Sequence, residues 1–209
     1  MFRDRTDAGR QLAELLDDLD VEADVVLAIP RGGLPIGRAV ADALGVPLDV
    51  VAARKIGAPH NPELAIGAVA SDGTRWLNES LIDDLGVGED YVSAGVERER
   101  AAAQEKVDRY RAGREPLDLA GKRVLVVDDG VATGATTIAC VRQVGNAGAA
   151  RVVLAVPVGP PDTVERLRSE VDDLVVVETP PHFGAVGQFY ASFGQVSDEE
   201  AMAYLAEGG

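Results

Sequence analysis

The chain predicts an α/β fold: a parallel sheet flanked by helices, with a small hood or flap region. Two features carry this. Short, almost wholly apolar runs alternate with segments of helical period, and the stretches joining successive runs are long enough for helical crossovers. Strands so uniformly apolar leave no face for solvent, as in a parallel sheet covered on both sides.

The elements follow in order. Residues 7–19 carry apolar side chains at helical spacing, and a continuous apolar strand occupies 25–29. Pro30-Arg31-Gly32-Gly33 then turns the chain into a helix over 35–44. Residues 47–53 read as a second strand that ends in Arg54-Lys55, and 64–70 can pair with 74–77 across Ser71-Asp72-Gly73. A short helix at 79–85 precedes a heavily charged one at 89–111, expected to be largely solvated. The strand at 123–127 leads into a helix-forming run at 138–144. Strands at 151–156 and 174–177 bracket a helix at 162–171, and a last helix covers 197–206. Residues 1–209 read as one domain, with 56–78 a flexible loop or hairpin and 180–209 a hood or C-terminal segment.

Composition narrows the function. Hydrophobic residues make up 46% of the 209, ample for a core, yet no apolar run approaches the roughly 18 residues that cross a bilayer. The start, MFRDRTDAGR, lacks the apolar segment of a signal peptide, so a cytoplasmic location is expected. A single cysteine, Cys140, excludes a disulfide framework and reads as a buried structural thiol. Thirty-five acids against 20 bases give a net charge of −15, and only three of the bases are lysine. Such a surface disfavours non-specific nucleic-acid binding, which needs positive charge to displace counterions. It also fits a salt-adapted, halophilic protein.

The chemistry concentrates at residues 124–136, VLVVDDGVATGAT. A buried strand delivers Asp128 and Asp129 to the carboxyl edge of the sheet, where ligands of such sheets bind. The loop Gly130, Val131, Ala132, Thr133, Gly134, Ala135, Thr136 opens a helix, and backbone N–H groups and the helix dipole there favour a phosphate. Thr133 and Thr136 add hydroxyl donors, and Gly134 removes a Cβ that would block close approach. Two acids beside a phosphate cradle suit a ribose 5-phosphate. The same edge collects Arg31-Gly32-Gly33 and Arg54-Lys55, cations and amides for further anionic groups.

At these thirteen positions the chain resembles the type I phosphoribosyltransferases. Four hydrophobics, two acids and a threonine- and glycine-bearing loop form that family's signature for phosphoribosyl pyrophosphate. The resemblance implies that Asp128 and Asp129 hold the ribose 2′- and 3′-hydroxyls and residues 130–136 the 5-phosphate. Arg31, Gly32 and Gly33 would cradle the pyrophosphate, often through a non-proline cis peptide, with Arg54 and Lys55 reaching it too. It implies magnesium carried by the diphosphate, with no direct protein ligand set, since magnesium keeps several waters. No His/Cys cluster suggests zinc. Over the whole chain, from FRDR to QVSDEE, the likeness is to bacterial and archaeal proteins described only as phosphoribosyltransferase-like.

The segment 180–197 holds three of the four phenylalanines and one of the two histidines. It loosely resembles the base-recognition stretch of purine phosphoribosyltransferases, with Phe183 covering the base and Val186 reading its edge. Departures limit the acceptor. Ala132 stands where the enzymes for 6-oxopurines usually have aspartate, and Asp129 where the uracil type generally has proline, so hypoxanthine, guanine and uracil are all disfavoured. Residues 57–70 read as a mobile loop able to close over the site, with His60 and Glu63 candidate bases by location alone. The resemblance implies a magnesium-dependent transfer of ribose 5-phosphate between phosphoribosyl pyrophosphate and a nitrogenous base or nucleotide, of the salvage type, often in a homodimer. The alternative is a sensor or regulator that binds phosphoribosyl pyrophosphate or a nucleotide without turnover. Hydrolysis of a sugar phosphate would need a water-activating base that the sequence does not offer.

Overall fold

The computed structural model describes residues 1–206. Five parallel strands form the main sheet in the order β2 (Leu48–Val50), β1 (Val25–Ala28), β6 (Arg123–Val127), β7 (Arg151–Val158) and β8 (Asp173–Glu178). Side chains alternate between its faces and both are covered. Val26, Ala28, Leu125 and Val127 join one cluster with Leu12 and Leu16 of α1 (Arg5–Asp18), Leu34 and Ile36 of α2 (Gly33–Leu44), and Ala201 and Leu205 of α7 (Asp198–Ala206). Val25, Leu27, Val124 and Val126 point the other way, onto Ile138, Val141 and Val144 of α5 (Ala135–Asn146) and Leu167 of α6 (Pro161–Arg168).

Local chemistry sets the element ends. Asp4 caps α1 by accepting a hydrogen bond from the Asp7 N–H, and Asn78 caps α3 (Glu79–Leu85) through the Leu81 N–H. The first two helices pack closely because residue 9 is glycine: a Cβ there would lie 2.9 Å from that of Ala39.

The second strand departs from expectation. The stretch 47–53 is not one element: Leu48–Val50 joins the parallel sheet, and the chain then turns away. β3 (Ala53–Ala58), β4 (Asn61–Ala70) and β5 (Arg75–Leu77) form a separate antiparallel sheet. The β4–β5 pairing agrees with the expected hairpin, whereas residues 57–63, read as loop, continue the ladder of β3 and β4 with register shifts at Gly57. The close approach there requires glycine, since a Cβ on Gly57 would lie 2.6 Å from the Pro62 carbonyl oxygen. Ile56, Ile66 and Val69 of this sheet bury against Ile82 of α3 and Val92 and Val96 of α4 (Glu89–Arg111). Helix α4 is amphipathic: most of its charged residues are solvated, as expected, while Ala103, Val107 and Tyr110 are also buried. The late segment is anchored too: Phe2 bridges to Tyr190, ahead of which a short 3-10 turn spans Val186–Phe189.

Candidate functional site

The site grows from two neighbouring strand ends. β1 and β6 pair in register up to Ala28 and Val127, so the segments that follow leave the same edge of the sheet side by side. The Ile29 N–H donates to the Val127 carbonyl at 2.9 Å and holds them together one step further. The Pro30–Arg31 peptide is cis, as the resemblance implies for this loop. Beyond it the chain is pressed against the acid pair. A Cβ at Gly32 would fall 1.9 Å from the Asp129 Oδ2, and one at Gly33 2.9 Å from the Val127 carbonyl oxygen. These two glycines are needed for contact, whatever their dihedrals.

The acids differ in what they touch. Asp128 accepts from the Asp129 N–H through Oδ1 at 2.8 Å. Burial and the Asp129 charge push its carboxyl well above the usual range, opposed by Lys106 and Arg5. Asp129 is raised by burial as well, although Arg5 opposes the shift: the Arg5 Nε donates to Oδ2 at 2.7 Å. Arg5 is itself fixed, donating to the Gly194 carbonyl and lying 3.8 Å from the Phe193 ring centroid. The Tyr190 hydroxyl donates to the Asp129 carbonyl at 2.6 Å. The late aromatic segment thus clamps the backbone of the second acid.

Loop 130–136 has two sides. On the outer side α6 takes its carbonyls: the Thr163 hydroxyl donates to Ala132 O at 2.7 Å, and the Arg166 guanidinium donates to Thr133 O. In a trans peptide C=O and N–H point in opposite directions, so these bonds turn the N–H groups of Thr133 and Gly134 the other way. Among the described residues, no N–H from Ala132 to Thr137 donates to a protein acceptor. Gly134, with φ of +74°, makes the turn into α5, a conformation costly for other residues. Val131 is the exception, its N–H committed to the Val158 carbonyl at 2.9 Å. The loop therefore presents a run of unbonded backbone donors at the N-terminus of α5.

A cavity of about 350 Å³ is lined by Arg31, Arg54, Ala102, Glu105, Lys106, Arg109, Tyr110 and Asp198; neither acid lines it, and Lys106 links it to Asp128 through charge. It brings Arg31 and Arg54 together. Lys55 is not in its lining; one position along β3, it presents to the opposite face, where its Nζ pairs with Glu63 at 2.6 Å. That hydrogen bond and charge hold the Glu63 carboxyl below its ordinary range, which weakens it as a base. His60 stands exposed at the β3–β4 turn. Phe183 and Val186 separate as well. Val186 packs on the loop, its Cγ1 2.7 Å from where a Gly130 Cβ would be. Phe183 stacks on Phe189, centroids 5.2 Å apart, so one ring face is already covered. Cys140 is buried in α5, and burial pushes its thiol up.

The profile of the phosphoribosyl transferase domain matches residues 5–193. The chain belongs to the phosphoribosyl transferase family. A Mycobacterium tuberculosis H37Rv protein that bears the provisional name phosphoribosyl transferase Rv0571c is 44% identical over 205 residues. That alignment takes in 98% of this chain but 46% of the relative, so the chain spans about half the length of its curated relatives. The crystal structure of TT1426 from Thermus thermophilus superposes with a TM-score of 0.83 at 44% identity, covering 99% of this chain and 98% of that one. For a phosphoribosyl transferase domain, the acid pair, the loop and Arg31-Gly32-Gly33 were legible from their neighbours in the chain. Arg5, Lys106, Arg109, Tyr190 and Asp198 were not, being brought in from four other segments. One trace of the α4 group was available: Ala102, Lys106, Arg109 and Tyr110 share a helical face, and Lys106 is one of only three lysines.

Proposed function

We propose that the chain is a magnesium-dependent phosphoribosyltransferase that exchanges ribose 5-phosphate between phosphoribosyl pyrophosphate and a nitrogenous base, as in nucleotide salvage, within a salt-rich cytoplasm. The observation that carries this reading is the set of unbonded amides from Ala132 to Thr136, turned inward by α6, beside two carboxylates. In this reading residues 130–136 hold the 5-phosphate and Asp128 and Asp129 the ribose hydroxyls. A ring nitrogen of the base attacks C1, the bond from C1 to the diphosphate oxygen breaks, and its electron pair leaves with the diphosphate. Arg31, Gly32, Gly33 and Arg54 stabilise that growing negative charge. Lys55 joins them from the other face of β3 when it lets go of Glu63. In this reading Val186, which packs against Gly130 of the loop, reads the edge of the base, and the free face of Phe183 covers it.

The donor set fits magnesium that arrives on the diphosphate. Among the described residues, Asp128 offers a carboxylate whose Oδ2 has no protein partner. When bound, the ion neutralises diphosphate charge. The whole protein is read as a homodimer by analogy with proteins of this type.

Calorimetric titration with phosphoribosyl pyrophosphate, magnesium and KCl tests the reading. Saturable binding that weakens at least tenfold in Asp128→Asn is expected; no binding, or equal affinity in the variant, rejects it. A sensor without turnover keeps one structural argument, the ion-paired state of Glu63. Pyrophosphate release across a panel of bases separates the two.

A further inference from the structure

The cavity between the Pro30–Arg31 loop, the start of β3, α4 and the start of α7 has an unusual charge balance for a chain of net charge −15. Arg31, Arg54, Lys106 and Arg109 line it with Glu105 and Asp198. Each arginine already has a carboxylate. Arg54 reaches Glu99 at 3.2 Å, and that acid is shared with Arg98. Arg109 reaches Glu105 at 3.0 Å and Asp198 at 3.1 Å, and Arg31 lies 3.6 Å from Asp198. Lys106 has no acidic partner among the described residues. Its Nζ donates to the Pro30 carbonyl at 2.7 Å, half-buried, with two N–H bonds left for another acceptor. Burial and the facing charge of Arg54 draw its ammonium below the usual lysine range, with Asp128 opposing and Arg31 adding to the shift. An ammonium so placed gains from an anion.

Asp198 marks where that anion goes. It is the first residue of α7, yet its carboxylate turns into the cavity, accepting from the Tyr110 hydroxyl at 2.7 Å and facing Arg31 and Arg109. It is not needed as a helix cap, because Ser197 fills that role: its Oγ accepts from the Glu200 N–H, and the Glu200 carboxylate accepts from the Ser197 N–H.

We propose that Lys106 and Arg109 on α4 contact the diphosphate of the ligand, and that Asp198 is an internal counter-ion which the diphosphate displaces. The inference rests on the phosphoribosyl pyrophosphate reading above and adds α4 and α7 to it. A diphosphate satisfies Lys106 and replaces one carboxylate with several phosphoryl oxygens on Arg31 and Arg109. Its entry frees the start of α7, so filling of the cavity is coupled to the C-terminal helix.

Calorimetry on the full chain with inorganic pyrophosphate and, separately, phosphoribosyl pyrophosphate tests this in wild type, Lys106→Met, Lys106→Arg and Asp198→Asn. Pyrophosphate binding is expected to weaken about tenfold or more in Lys106→Met and to recover in Lys106→Arg. In Asp198→Asn it is expected to tighten about threefold, a gain that loss of structure would not produce. Circular dichroism confirms that each variant folds, and the Arg and Asn variants decide the matter where Met does not fold. Unchanged affinity in Lys106→Met, or unchanged or weaker affinity in Asp198→Asn, overturns the proposal. If wild type binds phosphoribosyl pyrophosphate but not pyrophosphate, the counter-ion assignment falls while the proposed function stands. If it binds neither, both fall.

Discussion

Asp128 is held in a state that costs stability. Its carboxyl is pushed well above the ordinary aspartate range, first by burial and then by the neighbouring Asp129 charge, with a single backbone N–H and two distant cations in compensation. The sign of the pH effect follows. A carboxyl whose folded pKa is raised favours the folded state fully while both states are protonated, and that advantage is lost as pH climbs through the raised value. Asp128→Asn should therefore stabilise the protein near pH 7 by about 1 kcal/mol and leave it nearly unchanged near pH 4. Denaturant unfolding at both pH values checks this, and equal stability of variant and wild type at pH 7 would refute it. The acid was legible in the sequence because an apolar strand ran straight into it. Its partners were not: Arg5 lies 124 residues from Asp129, and Lys106 lies 76 from Pro30. A lone arginine near the start and a lysine within a charged helix carry no local sign of the contacts they make.

At the scale of elements, α6 decides which way loop 130–136 faces. Thr163 is buried and spends its hydroxyl on the Ala132 carbonyl, and Arg166 takes the next carbonyl while lying over the Trp76 ring of β5 at 5.9 Å. Thr163→Val keeps the shape and removes the donor. It should raise the dissociation constant for phosphoribosyl pyrophosphate about fivefold, matching the loss of roughly 1 kcal/mol of hydrogen bonding, while the unfolding midpoint moves little. Affinity equal to wild type would show that the loop orients itself without α6. The parallel strands and their crossovers were readable because runs such as 124–127 and 152–156 are apolar on both faces. The antiparallel sheet was half hidden. β3 carries Arg54, Lys55 and Gly57, and β4 begins Asn61-Pro62-Glu63, a composition that reads as loop. Tertiary burial of Ile56 and Ile66 against α3 and α4 overrides that local preference.

Over the whole molecule, charge is the dominant variable. A net charge of −15 on 209 residues makes the folded state repel itself, and salt relieves that repulsion by shortening the Debye length from ~10 Å at 0.1 M to ~3 Å at 1 M. Screening also weakens the exposed ion pairs, among them Arg100–Glu97 and Arg151–Asp173. Such exposed pairs contribute about 0–1 kcal/mol each, and relief of the excess negative charge is expected to win. The diphosphate binding proposed for the cationic cavity should respond in the opposite sense, because that attraction is screened by the same ions. Raising KCl from about 0.1 to 1 M should therefore raise the thermal unfolding midpoint while weakening pyrophosphate binding. KCl is the right salt for the test, since sulfate would strengthen apolar burial by exclusion and blur the comparison. Scanning calorimetry and titration across one KCl series read both quantities on the same protein. A midpoint that stays level or falls would show that paired charges outweigh the net excess, and would remove the case for a salt-adapted surface.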